Sequence, residues 1–324
     1  MTDAPRVSVI VVSYNTRVLT LECLARLFAE TPDLAIEVIV VDNASADGSA
    51  AAIRAAYPSV RLVESPENLG FGRAVNAAAV IARGEFLLLL NPDTRLLDRA
   101  LERLVAFADA HPEAGLFGGV TLHPDGTTNA SSCWNRPTLW SSFCQGSGLS
   151  ALFRGSPLFD AEVVRLRVPP AAQPVDIVSG CFLLIRRSLW EELRGFDPAF
   201  FMYGEDFDLS LRAAAAGAAR WITPDARVIH HGGASESDDA DRLVRLLRSK
   251  AQFFDRHFSP LGASLAKRTL WLWALSRMLA YGAAARIGGR ARGSSEAWRA
   301  VWRRRATFLV VPPPSRETAS SRSG

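Results

Sequence analysis

Four clusters of acidic and amide side chains have residue types that could hold a cation, bind a polar ligand or take up a proton. They are Ser13-Tyr14-Asn15, Asp42-Asn43, Asn91-Pro92-Asp93 and Glu205-Asp206. Carboxylate and amide oxygens are ligands for Mg²⁺ and Mn²⁺, and a carboxylate can also act as a general base. Each cluster alone also fits a turn or a helix cap, because Asn, Asp and Ser are common at both. Their chemistry therefore depends on whether the fold brings them together.

Three of these clusters directly follow short apolar runs that indicate buried strands. Val7–Ser13 and residues 37–41 are β-branched runs, and residues 16–29 between them have helical spacing, which makes a βαβ unit. The alternation continues with predicted helices at 49–57, 73–81 and 97–110 and predicted strands at 60–63, 85–90 and 116–120. The sequence predicts an α/β fold with a doubly wound, mostly parallel sheet flanked by helices. Such a sheet binds ligands at the carboxyl ends of its strands.

The alternation stops after residue 121 and resumes in the second half of the chain. Residues 121–175 show no clear period, which is typical of a functional loop region or a lid. Order returns with predicted strands at 175–185 and 221–230, predicted helices at 187–193 and 207–216, and a helical tail from residue 242. Charged residues interrupt every apolar run of the tail, so no membrane span is expected.

Composition and charge narrow the classes of protein. The 324 residues are 48% hydrophobic and 22% charged, as in ordinary globular proteins. Four cysteines without a CxxC pair argue against a disulfide scaffold or a zinc ribbon, and the start of the chain lacks a signal-peptide pattern. Residues 1–241 hold 20 basic and 30 acidic side chains, whereas residues 242–324 hold 17 and 3. The basic tail predicts an anionic partner such as lipid headgroups, nucleic acid or phosphates.

The order of these motifs resembles that of the inverting family 2 glycosyltransferases, which have a GT-A fold. Within that family it is most similar to the rhamnosyltransferase-like branch that builds bacterial cell-surface polysaccharide. The resemblance covers roughly residues 5 to 260, and it is carried by residues 7–15, 38–49, 67–78, 87–94, 179–217 and 228–235. It implies a hexosyltransferase that moves a sugar, such as rhamnose or another hexose, from a nucleotide-diphosphate donor to a glycan or a polyprenyl-diphosphate-linked acceptor.

The first half of the chain is expected to bind the donor. Asp42 can accept a hydrogen bond from the imide of a uracil or thymine ring, Gly70 lets the backbone approach the ligand, and Arg73 can neutralise phosphate. The complete set of expected donor-binding residues is Ser13, Tyr14, Asn15, Asp42, Asn43, Gly70, Arg73, Asn76, Asn91 and Asp93.

The resemblance also implies a divalent metal and a general base. The metal is Mg²⁺ or Mn²⁺, with Asp93 as the principal ligand and His230 as the second. Asn91 stands where the family usually carries the first acid of its metal motif, so one negative charge is missing. An inverting transfer needs one base, and Asp206 is the expected one. Glu205, Tyr203 and Trp134 are expected to bind the acceptor.

The predicted organisation is a glycosyltransferase domain at residues 1–260 followed by a basic helical tail. The domain has a nucleotide-sugar-binding half at 1–120 and a catalytic, acceptor-binding half at 121–260. The tail spans residues 261–324 and is expected to be disordered from residue 312. Two interpretations of its helices remain open: peripheral contact with a membrane, which we favour, and a helix bundle that packs on the catalytic domain. We therefore expect a cytoplasmic protein at the inner face of the cell membrane.

Two other functions remain open from the sequence alone. A polyprenyl-phosphate sugar transferase of the same fold would use a phosphate as its nucleophile. A nucleic-acid-binding protein would act through the basic tail, although the acidic body and the lack of a recognition module argue against nucleic acid as a partner. A nicotinamide-dependent oxidoreductase is disfavoured, because no GxGxxG follows the first strand.

Overall fold

A computed structural model describes residues 4–166, 171–232, 239–287 and 291–309. The chain forms two compact units. The first comprises residues 1–135, 164–198 and 205–235, and the second comprises residues 136–163, 199–204 and 236–324. The disorder predicted from residue 312 lies outside the described residues, and the domain boundary predicted at residue 260 stays a prediction.

The first unit holds all the described strands. In chain order they are β1 (Val7–Ser13), β2 (Ile36–Asp42), β3 (Arg61–Glu64), β4 (Phe86–Leu90), β5 (Thr94–Leu97), β6 (Ala114–Leu122), β7 (Cys133–Trp134), β8 (Gln173–Pro174), β9 (Ile177–Val178), β10 (Phe182–Arg186) and β11 (Ala219–His230). Its helices are α1 (Arg17–Glu30), α2 (Ser49–Ala56), α3 (Phe71–Ala79), α4 (Ala100–Ala110), α7 (Arg187–Glu192) and α8 (Glu205–Ala215). The second unit contains α5 (Leu139–Ser147), α6 (Leu149–Leu152), α9 (Asp239–His257), α10 (Pro260–Ile287) and α11 (Arg292–Arg303).

The main sheet has the strand order β3-β2-β1-β4-β10-β6-β11-β5, with β8 paired to β11. Strands β3, β2, β1 and β4 are parallel, β6 is parallel to β11, and β10, β5 and β8 run antiparallel to their neighbours. Six of its nine strands therefore share one direction. This confirms the mostly parallel sheet that the sequence predicts.

Apolar layers cover both faces of the sheet, because the central strands are apolar on both sides. Along β1, Val9 and Val11 point into one core and Ile10 and Val12 into the other. Helices α1 and α4 fill the first core, and α3, α7 and α8 fill the second. Two filled faces leave the ends of the strands as the place where polar groups meet solvent and ligand.

Three predicted elements were wrong in extent. The strand predicted at 175–185 breaks between β9 and β10, because a glycine at position 180 interrupts the pattern. The helix predicted at 97–110 starts only at Ala100, because Asp98 and Arg99 have φ angles of 49° and 57°, and a short strand, β5, precedes it. The aperiodic region at 121–175 contains helices α5 and α6.

The second unit is a helical assembly in which α10 packs against α5, α9 and α11. A buried Glu162 accepts hydrogen bonds from Ser141 and Gln145 and pairs with Lys250 at 3.5 Å, which joins residues 136–163 to α9. Within the described ranges, none of the helices combines the length and the apolar character that a membrane crossing requires.

Candidate active site

The candidate site lies at the carboxyl ends of the parallel strands. The register of β1 and β2 puts Ser13 opposite Asp42, and β1 also pairs with β4, which ends one residue before Asn91. Three clusters that are far apart in the sequence therefore lie at one edge of one sheet.

Asp42 offers an acceptor into this edge. Its side chain is buried, and its Oδ2 accepts a hydrogen bond of 3.2 Å from the Ser45 backbone N–H. In the described part of the chain, its Oδ1 is buried without a hydrogen-bond partner. A buried acceptor without a partner costs about 1–3 kcal/mol, and a ligand N–H would remove that cost. The imide of a pyrimidine base is such a donor.

The neighbouring amides shape the walls of the site. Asn43 donates to Asn68 Oδ1 at 2.9 Å and accepts from the Leu69 backbone N–H at 2.9 Å, which ties the end of β2 to the loop before α3. Gly70, at the end of that loop, has a φ of 78°, which favours glycine. Asn15 accepts from the Ala46 N–H at 2.8 Å. The contacts of these amides are with the protein backbone and with each other.

Four other predicted donor-binding residues have different positions. Ser13 is fully buried, and its hydroxyl lies 3.0 Å from that of Thr20. Asn76 is engaged through both ends of its amide with the backbone of Phe196. Arg73 donates from Nε to the Pro198 carbonyl at 2.9 Å, and Tyr14 is half-buried. The Ser13 hydroxyl and the Asn76 amide are thus engaged in contacts within the protein, and their roles in donor binding stay predictions.

Asp93 and His230 form a close pair. His230 Nε2 lies 3.3 Å from Asp93 Oδ1 and 3.3 Å from Asn91 Nδ2. Antiparallel pairing of β11 with β5 positions the histidine, because it sets His230 opposite Thr94. The pairing extends to the backbone, since the His231 N–H donates to the Asp93 carbonyl at 3.1 Å.

Each member of this pair shifts the pKa of the other. Burial opposes both charged forms, but the hydrogen bond and charge of His230 hold the pKa of Asp93 below its ordinary value. The same hydrogen bond, with a contribution from Cys181, overcomes the burial of His230 and raises its pKa to about 10. These shifts favour the ionised form of Asp93 and the protonated form of His230.

The Asp93–His230 pair fits one divalent ion shared with a phosphate ligand. Two adjacent ligands of an octahedral Mg²⁺ or Mn²⁺ lie about 3 Å apart, close to the observed 3.3 Å. In the described ranges, no group of three or more His, Cys, Asp and Glu side chains forms a metal site. The protein would supply one oxygen and one nitrogen, and Mg²⁺ typically completes such a set with phosphate oxygens and water.

Asp206 lies at the start of α8, where both carboxylate oxygens accept backbone hydrogen bonds. Oδ2 accepts from the Gly180 N–H at 3.0 Å and Oδ1 from the Phe207 N–H at 3.0 Å. Burial raises the pKa of Asp206 above its ordinary value, although these two hydrogen bonds pull it down. A fixed carboxylate with a raised pKa has the properties of a general base.

The break between β9 and β10 connects Asp206 to the Asp93 pair. Gly180 donates to Asp206, and the carbonyl of the next residue, Cys181, accepts from the Asn91 N–H at 3.0 Å. The open side of Gly180 faces α3 as well, since a Cβ there would lie 3.7 Å from Phe71 Cε1. The sequence prediction missed Gly180 and Cys181. A Ser-Gly pair inside an apolar strand pattern was the signal that could have identified them.

The predicted acceptor-binding residues lie in different surroundings. Trp134 is half-buried, and its ring centroid lies 5.0 Å from that of Phe207, directly beside Asp206 in the chain. Glu205 is buried at the first position of α8. Tyr203 belongs to the second unit and has a φ of 70°. The structure thus brings Trp134 close to the Asp206 segment.

Comparisons with known proteins identify the family and the fold of the chain. A model of glycosyl transferase family 2 matches residues 8–194. An N-acetylglucosaminyl-diphospho-decaprenol L-rhamnosyltransferase from Mycobacterium tuberculosis is 33% identical over 236 residues, which are 68% of this chain and 76% of that protein. The O-antigen biosynthesis protein RfbC of Myxococcus xanthus is 31% identical over 249 residues, which are 73% of this chain and 18% of that protein. A mannosyltransferase from Pyrobaculum calidifontis, solved with GDP-Man and Mn²⁺, matches with a TM-score of 0.58 and 24% identity, over 95% of this chain and 88% of that one.

Proposed function

This chain belongs to glycosyl transferase family 2, in its rhamnosyltransferase-like branch, and from that premise we propose a specific reaction for its site. The protein is a glycosyltransferase with a GT-A-type fold. It moves a sugar, rhamnose or another hexose, from a nucleotide-diphosphate donor to a glycan or polyprenyl-diphosphate-linked acceptor in cell-surface polysaccharide synthesis. The anomeric configuration of the sugar inverts during the transfer.

One observation carries the proposal. Asp42 with its unpartnered Oδ1, the Asp93–His230 pair and Asp206 all belong to one end of one sheet, joined through β1, β4 and residues 180–181. A nucleotide sugar has a base, a diphosphate and a reacting carbon at successive positions. Three acidic groups with three different environments match those three parts.

The donor is bound by the ends of β2 and β4. Asp42 accepts the imide N–H of the base, and the loop that ends at Gly70 approaches the ligand through its backbone. Arg73 uses its Nε–H to donate to the Pro198 carbonyl, and its other guanidinium N–H groups can donate to a phosphate.

Asp93 and His230 would hold a Mg²⁺ or Mn²⁺ ion. When bound, this ion neutralises the negative charge that builds up on the leaving diphosphate. Asn91, with its amide beside His230, is a neutral neighbour, so the pair carries less negative charge than two acids would. Because the leaving diphosphate needs this neutralisation, we propose that the transfer requires a divalent cation.

Asp206 acts as the general base of a single displacement. It takes the proton of the acceptor hydroxyl while the new bond forms between that oxygen and the anomeric carbon. The bond from the same carbon to the diphosphate breaks on the opposite face, and the nucleoside diphosphate leaves with the bonding electrons. The hydrogen bonds from Gly180 and Phe207 hold the carboxylate in one orientation, which favours proton transfer.

The acceptor is proposed to lie on the Asp206 side of the site. Trp134, packed against Phe207, offers an aromatic surface to a sugar ring, and Tyr203 and Glu205 precede Asp206 in the chain. If the acceptor is linked to a polyprenyl diphosphate, the protein works at the inner face of the cell membrane, and its basic C-terminal region makes peripheral contact there.

A screen of nucleotide sugars by thermal shift, with and without Mn²⁺, tests the proposed function. A uridine or thymidine diphosphate sugar should raise the melting temperature, and more so with Mn²⁺. If no nucleotide sugar stabilises the protein and it binds DNA or RNA in a salt-dependent way, the result would contradict the proposal and support a nucleic-acid-binding function.

Asp42→Asn is expected to weaken donor binding about 10- to 100-fold. The asparagine oxygen must stay with the Ser45 N–H, so its NH₂ would face the imide N–H of the base, and two donors repel. Isothermal titration with the best nucleotide diphosphate measures the loss. Glu64→Gln is the control, because Glu64 lies opposite Asp42 on β3 but is exposed. Equal affinities of the Asp42 variant and the wild-type protein would remove Asp42 from the donor site.

The raised pKa of Asp206 predicts an acid limb in the pH profile of turnover. The base acts only when ionised, so kcat should fall as the pH decreases through a pKa higher than that of an ordinary aspartate. Measuring kcat at saturating substrate between pH 4 and about 8 tests this. A profile that stays flat down to the ordinary aspartate range would contradict it.

A further inference from the structure

Helix α10 turns its large side chains outward. Its buried residues are mostly small, namely Gly262, Ala263, Ala266, Leu270 and Ala274. Leu261 and Leu279 on the other side are 72% and 60% exposed. A surface helix of a soluble protein normally buries its large apolar side chains and exposes polar ones, so the exposed leucines of α10 indicate that its outer face has a partner.

The outward residues form one continuous stripe. Leu261, Leu265, Arg268, Leu272, Leu275, Leu279 and Arg286 follow one another at spacings of three, four and seven residues, which places them on one face of the helix. We call this face the α10 stripe. All seven side chains are exposed or half-buried. At 1.5 Å per residue, the stripe is about 38 Å long.

Packing on the other faces explains why the stripe remains outside. Gly146 of α5 approaches so closely that a Cβ there would lie 2.5 Å from the Thr269 carbonyl oxygen, and Ser276 donates to the Gly146 carbonyl at 2.7 Å. Thr269 and Ser276 lie beside the stripe and not on it. The helices of this unit therefore occupy the small-residue side of α10.

The charges on α10 select one kind of partner. The helix contains Lys267, Arg268, Arg277 and Arg286 but no Asp or Glu. Lys267 pairs with Asp255 of α9, whereas Arg268 and Arg286 are exposed on the stripe. A second copy of α10 would bring no carboxylate to these guanidinium groups, and burying them unpaired is costly. An anionic lipid surface supplies both an apolar boundary and phosphate groups.

We propose that the α10 stripe lies on the surface of an anionic lipid bilayer. The leucines enter the boundary between headgroups and acyl chains, and Arg268 and Arg286 extend to the lipid phosphates. This deepens the proposed function, and it rests on that function only for the reason why the protein would meet a membrane. Trp298 of α11 is buried, 6.4 Å from the Trp273 ring, so this side chain is not exposed to a bilayer.

Co-sedimentation of the full chain with vesicles tests the proposal. The wild-type protein should bind vesicles of phosphatidylcholine with phosphatidylglycerol and bind pure phosphatidylcholine much more weakly. A Leu265→Gln, Leu279→Gln variant should lose at least about tenfold in partition coefficient, because two exposed leucines no longer enter the bilayer. Arg268→Gln with Arg286→Gln should lose the preference for anionic lipid.

Matched variants separate the stripe from general effects. Ala280→Gln with Ala284→Gln changes exposed positions of the same helix outside the stripe, and Arg292→Gln with Arg299→Gln removes two exposed charges from α11. Both should bind vesicles nearly as the wild-type protein does. Equal loss in stripe and control variants would overturn the proposal.

Other partners of the stripe give different outcomes. If light scattering shows that the wild-type protein is a dimer and the leucine variant a monomer, the stripe contacts a second copy of the chain. Vesicle binding that appears only after removal of residues 310–324 would assign it to the end of the chain. Either result overturns the proposal. Vesicle binding is measured independently of sugar transfer. If the protein binds vesicles but no nucleotide sugar, the result contradicts the proposed function but supports the lipid-binding role of the α10 stripe.

Discussion

Asp206→Asn is expected to reduce sugar transfer about 10²- to 10⁴-fold, the contribution of a general base, while donor binding stays close to wild type. Asparagine has nearly the same shape but cannot accept the proton of the acceptor hydroxyl. The Asp42 and Asp93 groups, which are proposed to bind the donor, keep their own contacts in this variant. The loss should therefore appear in kcat and not in the affinity for the nucleotide.

Stability distinguishes this loss of chemistry from a loss of structure. Asparagine gives up one of two backbone hydrogen bonds, which costs about 1 kcal/mol, but it also removes a carboxylate whose raised pKa means that its charge is unfavourable in the folded state. These effects oppose each other, so the melting temperature should change by only a few degrees, or about 1 kcal/mol. Asp225→Asn, at an exposed position of β11, is the control. Turnover at the wild-type rate in Asp206→Asn would remove Asp206 from the mechanism.

Asp93→Asn is expected to remove both the response to Mn²⁺ and most of the activity. The substitution replaces the charged oxygen ligand with a neutral one beside Asn91, which leaves His230 as the stronger ligand of the proposed ion. A bound metal ion stabilises the charge on the leaving group by several kcal/mol in the transition state. Loss of the metal should therefore lower kcat/KM about a hundredfold or more.

The measurement is the Mn²⁺-dependent thermal shift in the presence of a nucleoside diphosphate, followed by kinetics at increasing Mn²⁺. Asp98→Asn is the matched control, because Asp98 is exposed just after β5 and pairs only at the surface with Arg227. A full Mn²⁺ response in Asp93→Asn, with unchanged kinetics, would show that the metal site is elsewhere or absent.

The parallel half of the fold could be predicted because its signals are local. Continuous β-branched runs such as Val7–Ser13 have apolar side chains on both faces of the strand, so both faces of the sheet must be covered. The helical spacing of the segments between these runs indicates that helices cover them. The acidic clusters after these strands must then lie at one edge of the sheet, which is why the sequence alone groups Asp42 with Asp93. Their roles stay predictions.

The remaining parts depend on long-range pairing. Strand β5 has four residues and exists because β11 pairs with it, and that pairing is what sets His230 beside Asp93. The Asn76 amide looked like a ligand group at its helix position, but the Phe196 backbone, 120 residues away, uses it. The spacing of the α10 leucines places them on one face, but their exposure depends on long-range packing, because Gly146 of α5 lies against Thr269 beside that face.

The stereochemistry of the product tests the central claim most directly. The full chain, a stabilising nucleotide sugar, Mn²⁺ and a polyprenyl-diphosphate glycan would be incubated together, and the anomeric configuration of the new glycosidic bond read by NMR. A single displacement with Asp206 as base predicts a configuration opposite to that of the donor. Retention of the donor configuration would contradict it.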